Sequence, residues 1–482
     1  MSSSADNITG HPERQHYGIT FAVLALAGAS YALLQSAVAP ALPEIQVDLH
    51  ASATATAWLL TGYLLSASVL TPIIGRLGDM FGKERTLVAS LAILSFGVLL
   101  AALANSIGVL ILARVIQGSG GAIFPLAFGI IRDEFPRERA AQGIAMISAI
   151  LGIGGGLGII LAGPIIDTFD YHWLFWFPLV PVVGATVATI FFVPESPVKS
   201  PGRIDWRGAA LLTGWVVLML LGISQTAEWG WGDPRVVGLI LAGFALLAVW
   251  VWVEGRSEDP LVDMGMMRIR GVWTVNAAAF LVGAGMYGSF ILFPEFTETP
   301  ASAGYGFGAS VTEAGLFLLP CTMAMLVVSP VAGWLAGRVG SRVTLIAGSL
   351  TTAGAFTLAA AAHHRPIDIY LSTGLLGIGI GLAFASLANL IVEAVPQSQT
   401  AVATGMNTVM RTLGGSVGGQ VGASLIAGTV TAAGLPTEHG FTLAFTLSAG
   451  ACLIAALASI AVPKPPRTAL QPGRAARLAA ES

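Results

Sequence analysis

The chain reads as an all-α polytopic membrane protein, and three observations predict that class. Of its 482 residues 55% are hydrophobic and 10% charged, with a mean hydropathy of +0.79; soluble domains carry roughly 25% charged residues. The apolar residues fall into fourteen runs that approach or exceed the ~20 residues needed to cross a bilayer. Lys and Arg are concentrated in alternate connecting loops. The runs must be helices, because hydrocarbon satisfies no open backbone group and the alternation of a membrane barrel is absent.

Taken in order, residues 1–16 are a polar tail without the layout of a cleavable signal. Six spans are expected at 17–39, 56–75, 86–104, 108–130, 140–163 and 173–193. A linker region, 194–271, carries a further pair at 208–226 and 235–253. Six more spans follow within 272–462: 272–293, 311–333, 344–361, 368–391, 402–429 and 442–462; a tail closes the chain at 463–482. With the N-terminus in the cytoplasm, nineteen of the 23 Lys and Arg lie on the inner side, Arg235 and Arg365 lie outside, and Arg114 and Arg411 lie within spans. The even number of spans returns the C-terminus to the cytoplasm.

A repeat organises these spans. "GRLGDMFGKER" (75–85) follows the second span and "GWLAGRVGSR" (333–342) the tenth; both read G-x-L-x-(D or G)-x-x-G-x-(x)-R on inner loops. Each sits after the second helix of a six-span half, which implies two parallel bundles of six helices with a binding site between them near the midplane. The pair within 194–271 is an insertion between the bundles. Its outer loop, "AEWGWGDP", presents Trp229 and Trp231 to the membrane interface.

In the first loop Gly75, Gly78 and Gly82 permit a tight turn, Asp79 suits a helix N-terminus, and Lys83 and Arg85 hold the loop inside. "RVIQGSGGA" (114–122) puts Arg114, Gln117 and Gly118 on one helix face; an arginine within a span costs about 2.5–3.5 kcal/mol and is expected to face a cavity. "LGIGGGLGIILAGP" (151–164) packs six glycines into the fifth span, where small residues let helices approach closely. In "NTVMRTLGGSVGG" (407–419), Asn407 and Arg411 are one turn apart.

These motifs resemble the major facilitator superfamily, in its fourteen-span drug:proton antiporter branch, over nearly the whole chain. The resemblance implies an exporter of small amphipathic or hydrophobic compounds, such as drugs, antibiotics or related metabolites, in the plasma (inner) membrane. Such a protein exchanges its substrate for protons by alternating access. It makes the 75–85 motif (Gly75, Gly78, Asp79, Gly82, Lys83, Arg85) a conformational latch and Arg114 a proton-coupling residue. It makes Gly154, Gly158, Gly163 and Pro164 an antiporter packing motif contacting the other half. Gly158 and Gly163 are five apart, where the family's G-x-x-x-G-P places its glycines four apart. The branch's first-span acid is also missing: aligned on Pro43, its place falls on Leu34, and that of the accompanying Asn on Ala39.

None of the 26 acids falls mid-span, so Glu295 ("FPEF") and then Glu313 ("TEAG"), at outer span ends, are the candidate proton carriers. Candidate cavity residues are Gln35, Trp58, Gln117, Asn276, Tyr287, Asn389, Asn407 and Arg411. The same fold also accommodates an uptake symporter or a dedicated metabolite exporter. A polytopic enzyme or receptor would require a cluster of chemical groups or a large soluble domain, neither of which is visible, so no catalytic residue is assigned. The net charge of −3 suggests no nucleic-acid partner. No Walker-type loop is present for ATP. Cys321 and Cys452 lie in apolar runs as small core residues. The histidines all lie in tails or outer loops; "HH" at 363–364 is read as a solvated loop, and no metal or cofactor is expected. The expected partners are the lipid bilayer, a small-molecule substrate and protons, with the monomer as working unit.

Overall fold

The computed structural model describes residues 17–200, 202–286, 288–429 and 435–463; the expected tails 1–16 and 464–482, and Tyr287, lie outside the described residues. The first half is built from α1 (Tyr17–Asp48), α2 (Ala53–Phe81), α3 (Lys83–Ala102), α4 (Ile107–Gln117), α5 (Ile123–Glu134), α6 (Arg137–Thr168) and α7 (Trp173–Phe192). Next come α8 (Trp206–Ser224), the short α9 (Thr226–Trp229), α10 (Pro234–Glu254) and the short α11 (Met264–Arg268). The second half comprises α12 (Arg270–Met286), α13 (Ser289–Glu298), α14 (Val311–Phe317), α15 (Leu319–Val339), α16 (Ser341–Ala361), α17 (Pro366–Ala394), α18 (Thr400–Ala427) and α19 (Glu438–Ser459).

Twelve of the described helical segments are long and apolar enough to cross a membrane, against the fourteen expected. The other two expected spans fall short for visible reasons. The ninth is divided into α12, which ends at Met286, and α13, which starts at Ser289. The thirteenth, α18, carries Asn407, Arg411, Gln420 and several Ser and Thr among its glycines. Both are enclosed by neighbouring helices, α12 packing on α18 and α19, so α18 largely hides its polar groups from lipid. Elsewhere the outward faces are apolar: Val180 is 74% exposed and Phe191 69%. Such faces suit a hydrocarbon surround.

Burial divides into two large apolar clusters. One runs from Val23 to Val193, with three residues of α17 and α18; the other takes the second half and the inserted helices. Helices α8 and α10 pack on each other, and α8 leans on both α2 and α18. The inserted pair therefore flanks a seam between the halves.

The repeat motifs prove tighter than loops. Helix α2 continues through the first motif to Phe81, and Gly82 alone links it to α3, at φ 121°. Gly340 does the same between α15 and α16, at φ 93°. Only glycine adopts such angles at low cost. A single linking residue turns the start of each following helix back against the bundle.

The glycines of α6 separate onto two faces. A methyl group at Gly152 would overlap Met325, at Gly156 would overlap Thr322, and at Gly163 would lie 2.6 Å from Thr312 Oγ1. Those partners belong to α14 and α15 of the second half. Gly154 and Gly158 instead face Ala32 and Ser36 of α1, and Ser36 Oγ donates to the Gly154 carbonyl at 3.0 Å. The expectation that Gly158 and Gly163 contact the other half together is therefore corrected: five residues at 100° each set them about 140° apart around the helix. Pro164 is exposed near the C-terminal end of α6. Gly155 has no neighbour for an added methyl within 4 Å.

Leu at Gly155 is thus expected to leave the unfolding temperature of the detergent-purified protein unchanged. Leu at Gly154 or Gly156 overpacks a tight contact and is expected to lower it, at a cost of about 1–3 kcal/mol. Thermal unfolding of the three variants side by side checks the assignment of faces.

Candidate functional site between the two halves

Three sets of residues bring the halves together: a charged cluster at the end rich in Arg and Lys (the basic end), a cavity at mid-depth, and the glycine face of α6. At the basic end Asp79, fully buried, accepts from the backbone N–H groups of Ala401 (3.3 Å) and Val402 (3.0 Å). These are first-turn groups of α18, which have no partner within their own helix. The carboxylate meets the positive end of the helix dipole, and each charge-assisted hydrogen bond contributes about 1.5–3 kcal/mol. Gly75 makes the approach possible, since a Cβ there would stand 2.7 Å from the Ala401 carbonyl oxygen. Gly78 faces Leu126 in the same crowded way.

Lys83, expected to hold the loop inside, is fully buried. Its Nζ lies 2.8 Å from Asp133 and 3.7 Å from Asp79, and also donates to Ser196 Oγ and the Val198 carbonyl at 3.4 Å. The one-residue link at Gly82 forces this position. Arg85, by contrast, is largely exposed, 3.5 Å from Glu195. Arg132 completes the closure from α5. It donates to the carbonyls of Val395 and Pro396 (2.8 and 3.2 Å) and to Thr400 Oγ1 (2.7 Å), just ahead of α18. The second half repeats the geometry without the charge. Gly337 stands at the place of Asp79, Ser341 replaces Lys83 and donates to Glu393 at 3.0 Å, and Gly333 approaches Gln142 of α6 as Gly75 approaches Ala401.

At mid-depth a cavity of about 30 Å³ is lined by Tyr31, Gln35, Leu64, Ala67, Ser68, Thr71, Gly121, Phe124 and Leu151 from the first half and Thr408, Arg411 and Thr412 from α18. That holds about one or two waters, whereas drug-sized pockets measure about 300–1,000 Å³. The cavity is therefore far smaller than a drug-sized site. Arg411 lines the cavity and stacks its guanidinium over Phe384, 4.6 Å from the ring centroid. Opposite it, the short 3-10 stretch Gly118–Ala122 interrupts the fourth span. It lets Gly120 lie against Tyr31 and Gly121 against Thr71.

Of the candidate cavity residues, Gln35 and Arg411 reach this cavity. Asn407 and Asn276 instead pair with each other at 2.9 Å, joining α18 to α12. Asn389 crosses between the halves, donating to the Ala141 carbonyl at 3.2 Å. Gln117 bonds the Gly97 carbonyl and Arg114. Trp58, 37% exposed near the start of α2, lies away from the cavity, and Tyr287 is outside the described residues.

Arg114 does not face a cavity as expected. Fully buried, it donates to the carbonyls of Leu59 (3.2 Å) and Leu34 (3.3 Å) and to Gln117 Oε1 (2.8 Å), and stacks over Tyr63. It ties α4 to α1 and α2. Glu295 is half-buried on α13, outside the cavity lining. Glu313 is exposed and accepts from the Ser310 N–H at 2.8 Å in the capping box of α14. Sequence reading missed Arg132, Tyr31, Ser68, Thr71, Thr408 and Thr412. The i, i+3, i+4 spacing of Thr408, Arg411 and Thr412 was the available signal for the last group.

Two outcomes follow from the basic-end cluster. Lys83→Met leaves Asp79 and Asp133 buried without their cation, with an expected stability loss of about 3–5 kcal/mol, read as a fall in thermal unfolding temperature. Asp79→Asn weakens the cap on α18. In a background lacking Cys321 and Cys452, a cysteine at the buried Thr404 is then expected to react severalfold faster with a water-soluble maleimide.

Comparison with known proteins agrees with this architecture. The chain is 30% identical over 383 residues to the tetracenomycin C resistance and export protein of Streptomyces glaucescens, covering 78% of this chain and 69% of the relative. It is 28% identical over 405 residues to a multidrug resistance protein B homolog of Mycobacterium tuberculosis, covering 81% and 73%. The crystal structure of the human organic anion transporter MFSD10 (TETRAN) superposes with a TM-score of 0.64 at 17% identity, covering 93% of this chain and 99% of that one, a likeness of fold. The sequence profile of the Major Facilitator Superfamily matches residues 24–419 and again 275–481. The protein is a multi-span membrane transporter and belongs to the Major Facilitator Superfamily.

Proposed function

We propose that this chain exports small amphipathic or hydrophobic compounds across the cytoplasmic membrane in exchange for protons, by alternating access. The observation that carries the reading is a small cavity lined from both halves, with Asp79 bonded to the first turn of α18 at the basic end. The excess of Lys and Arg at that end makes it the cytoplasmic one, with both termini in the cytoplasm. The state described is then closed to the cytoplasm. Loading substrate requires the Asp79 and Arg132 contacts to break, while α6 remains packed on α15 along its glycine face. Relatives named for resistance and export support the outward direction. Fourteen crossings, six in each of 17–193 and 272–462 and two between them, and a monomeric working unit complete the reading.

The cavity lining fits such substrates. Tyr31, Leu64, Phe124 and Leu151 offer apolar and aromatic surface, while Gln35, Thr71, Thr408 and Arg411 give a few directed polar contacts. In this reading Arg114 acts through the placement of α1 and α2, which line the cavity. Glu295 is the proton carrier, being half-buried where Glu313 is exposed. The driving force suffices: a proton entering at ~100 mV gains about 2.3 kcal/mol, and one pH unit adds about 1.4 kcal/mol. Together they sustain roughly a 500-fold gradient of a neutral solute in one-for-one exchange.

Everted membrane vesicles containing the protein are expected to accumulate a lipophilic dye when energised and to lose it on adding a protonophore. Glu295→Gln is expected to retain dye binding and lose about a hundredfold or more of the proton-linked rate, the scale for removing a proton-transfer group. Undiminished coupling in that variant would remove Glu295 from the mechanism.

A further inference from the structure

At the end opposite the basic cluster, "AHHRP" links α16 to α17. The structure contradicts a solvated setting for the first of its histidines: His363 is 5% exposed, with Phe296 edge-on to its ring at 5.4 Å. His363 Nδ1 lies 2.8 Å from the Ala359 carbonyl. A carbonyl only accepts, so Nδ1 donates to it and Nε2 is the ring atom left for another partner. Nε2 stands 2.7 Å from Glu438 Oε1. A proton held between Nε2 and the carboxylate accounts for this contact without a metal, and a bound metal ion would take that proton's place. His364 Nδ1 approaches the same carboxylate oxygen at 3.8 Å, and one ligand atom from each of the three residues falls within 4.8 Å of the others.

We propose that His363 Nε2, His364 Nδ1 and a Glu438 carboxylate oxygen form a binding site for a divalent ion of the zinc class, with water in the remaining position. The donor set, two imidazoles and a carboxylate, suits Zn²⁺. Ligand atoms about 2.0–2.2 Å from a tetrahedral zinc stand about 3.3 Å from one another. The observed 2.7 and 3.8 Å bracket that separation, and the exposed His364 has room to adjust. The Nδ1 bond to Ala359 is the outer contact that fixes the tautomer and ring orientation of a metal-binding histidine. The ion would tie the α16–α17 link to the first residue of α19, beside the α13 segment that carries Phe296.

The test is calorimetric titration of the full-length protein, purified in detergent and stripped with a chelator, with Zn²⁺. One saturable site per chain is expected. His364→Ala and Glu438→Gln are each expected to weaken it at least about tenfold, by the scale of disturbances around bound zinc. His364 is exposed, so its variant keeps the fold; far-UV circular dichroism and the unfolding temperature without zinc verify this. His439→Ala, an exposed neighbour outside the set, is expected to bind as the parent does. No saturable binding, or binding of unchanged affinity in both ligand variants, would overturn the proposal, the latter placing zinc elsewhere. The loss of binding in His439→Ala would also overturn it.

Discussion

The closed arrangement depends on a carboxylate placed where a helix begins. Asp79 has left water entirely, a cost that only strong compensation makes tolerable. That compensation comes from two sources: the open N–H groups of Ala401 and Val402, and the buried ammonium of Lys83, shared with Asp133. The first source lies in the other half. Separating the halves at this end therefore strands two N–H groups and a carboxylate until water reaches them. The interaction is strong when closed and is replaced by hydration when open, which suits a contact that must break and re-form.

In the proposed cycle that contact must break and re-form, and the other contacts between the halves contrast with it. The second half copies the turn, with Gly340 in place of Gly82, but puts Gly337 and Ser341 where Asp79 and Lys83 stand. Only one of the two pseudo-equivalent contacts is thus held by charge. The other, Gly333 on α6, is a bare steric contact between backbones. Likewise, the α6 face toward α14 and α15 is glycine against Met325, Thr322 and Thr312, with no ion pair among the described residues on that face. A seam without directional bonds lets two helices shift against each other while staying in contact, because packing rather than hydrogen bonding holds them.

Much of this was legible in the sequence, and the limits have physical causes. Hydropathy and the distribution of Lys and Arg sufficed for the fold class, and the repeat at 75–85 and 333–342 for the two halves. The motif containing Asp79 was visible, as was its suitability for a helix N-terminus. Which helix it would meet, more than 300 residues away, was not, since no local pattern encodes that pairing. The division of the α6 glycines was available from 100° of rotation per residue, yet spacing alone names no partner for either face. Arg114 and Arg411 look alike as single charges in apolar runs. One is consumed by carbonyls of its own half and the other reaches the cavity, a difference set by neighbours from α1, α2 and α17. His363 looked like a loop residue because its partner, Glu438, is distant in sequence.

The central claim is that the basic end opens and closes about the Asp79 contact while the α6 seam persists. The most direct measurement is the distance distribution between spin labels at Arg85 and Arg338, exposed positions at the basic ends of the two halves, by double electron–electron resonance in lipid nanodiscs. A short-distance population is expected in the parent protein, replaced by a longer one in Asp79→Asn. A second label pair, placed across the α6 seam, should stay unchanged. A distribution between Arg85 and Arg338 that is identical in parent and variant would contradict the claim that this carboxylate holds the halves closed.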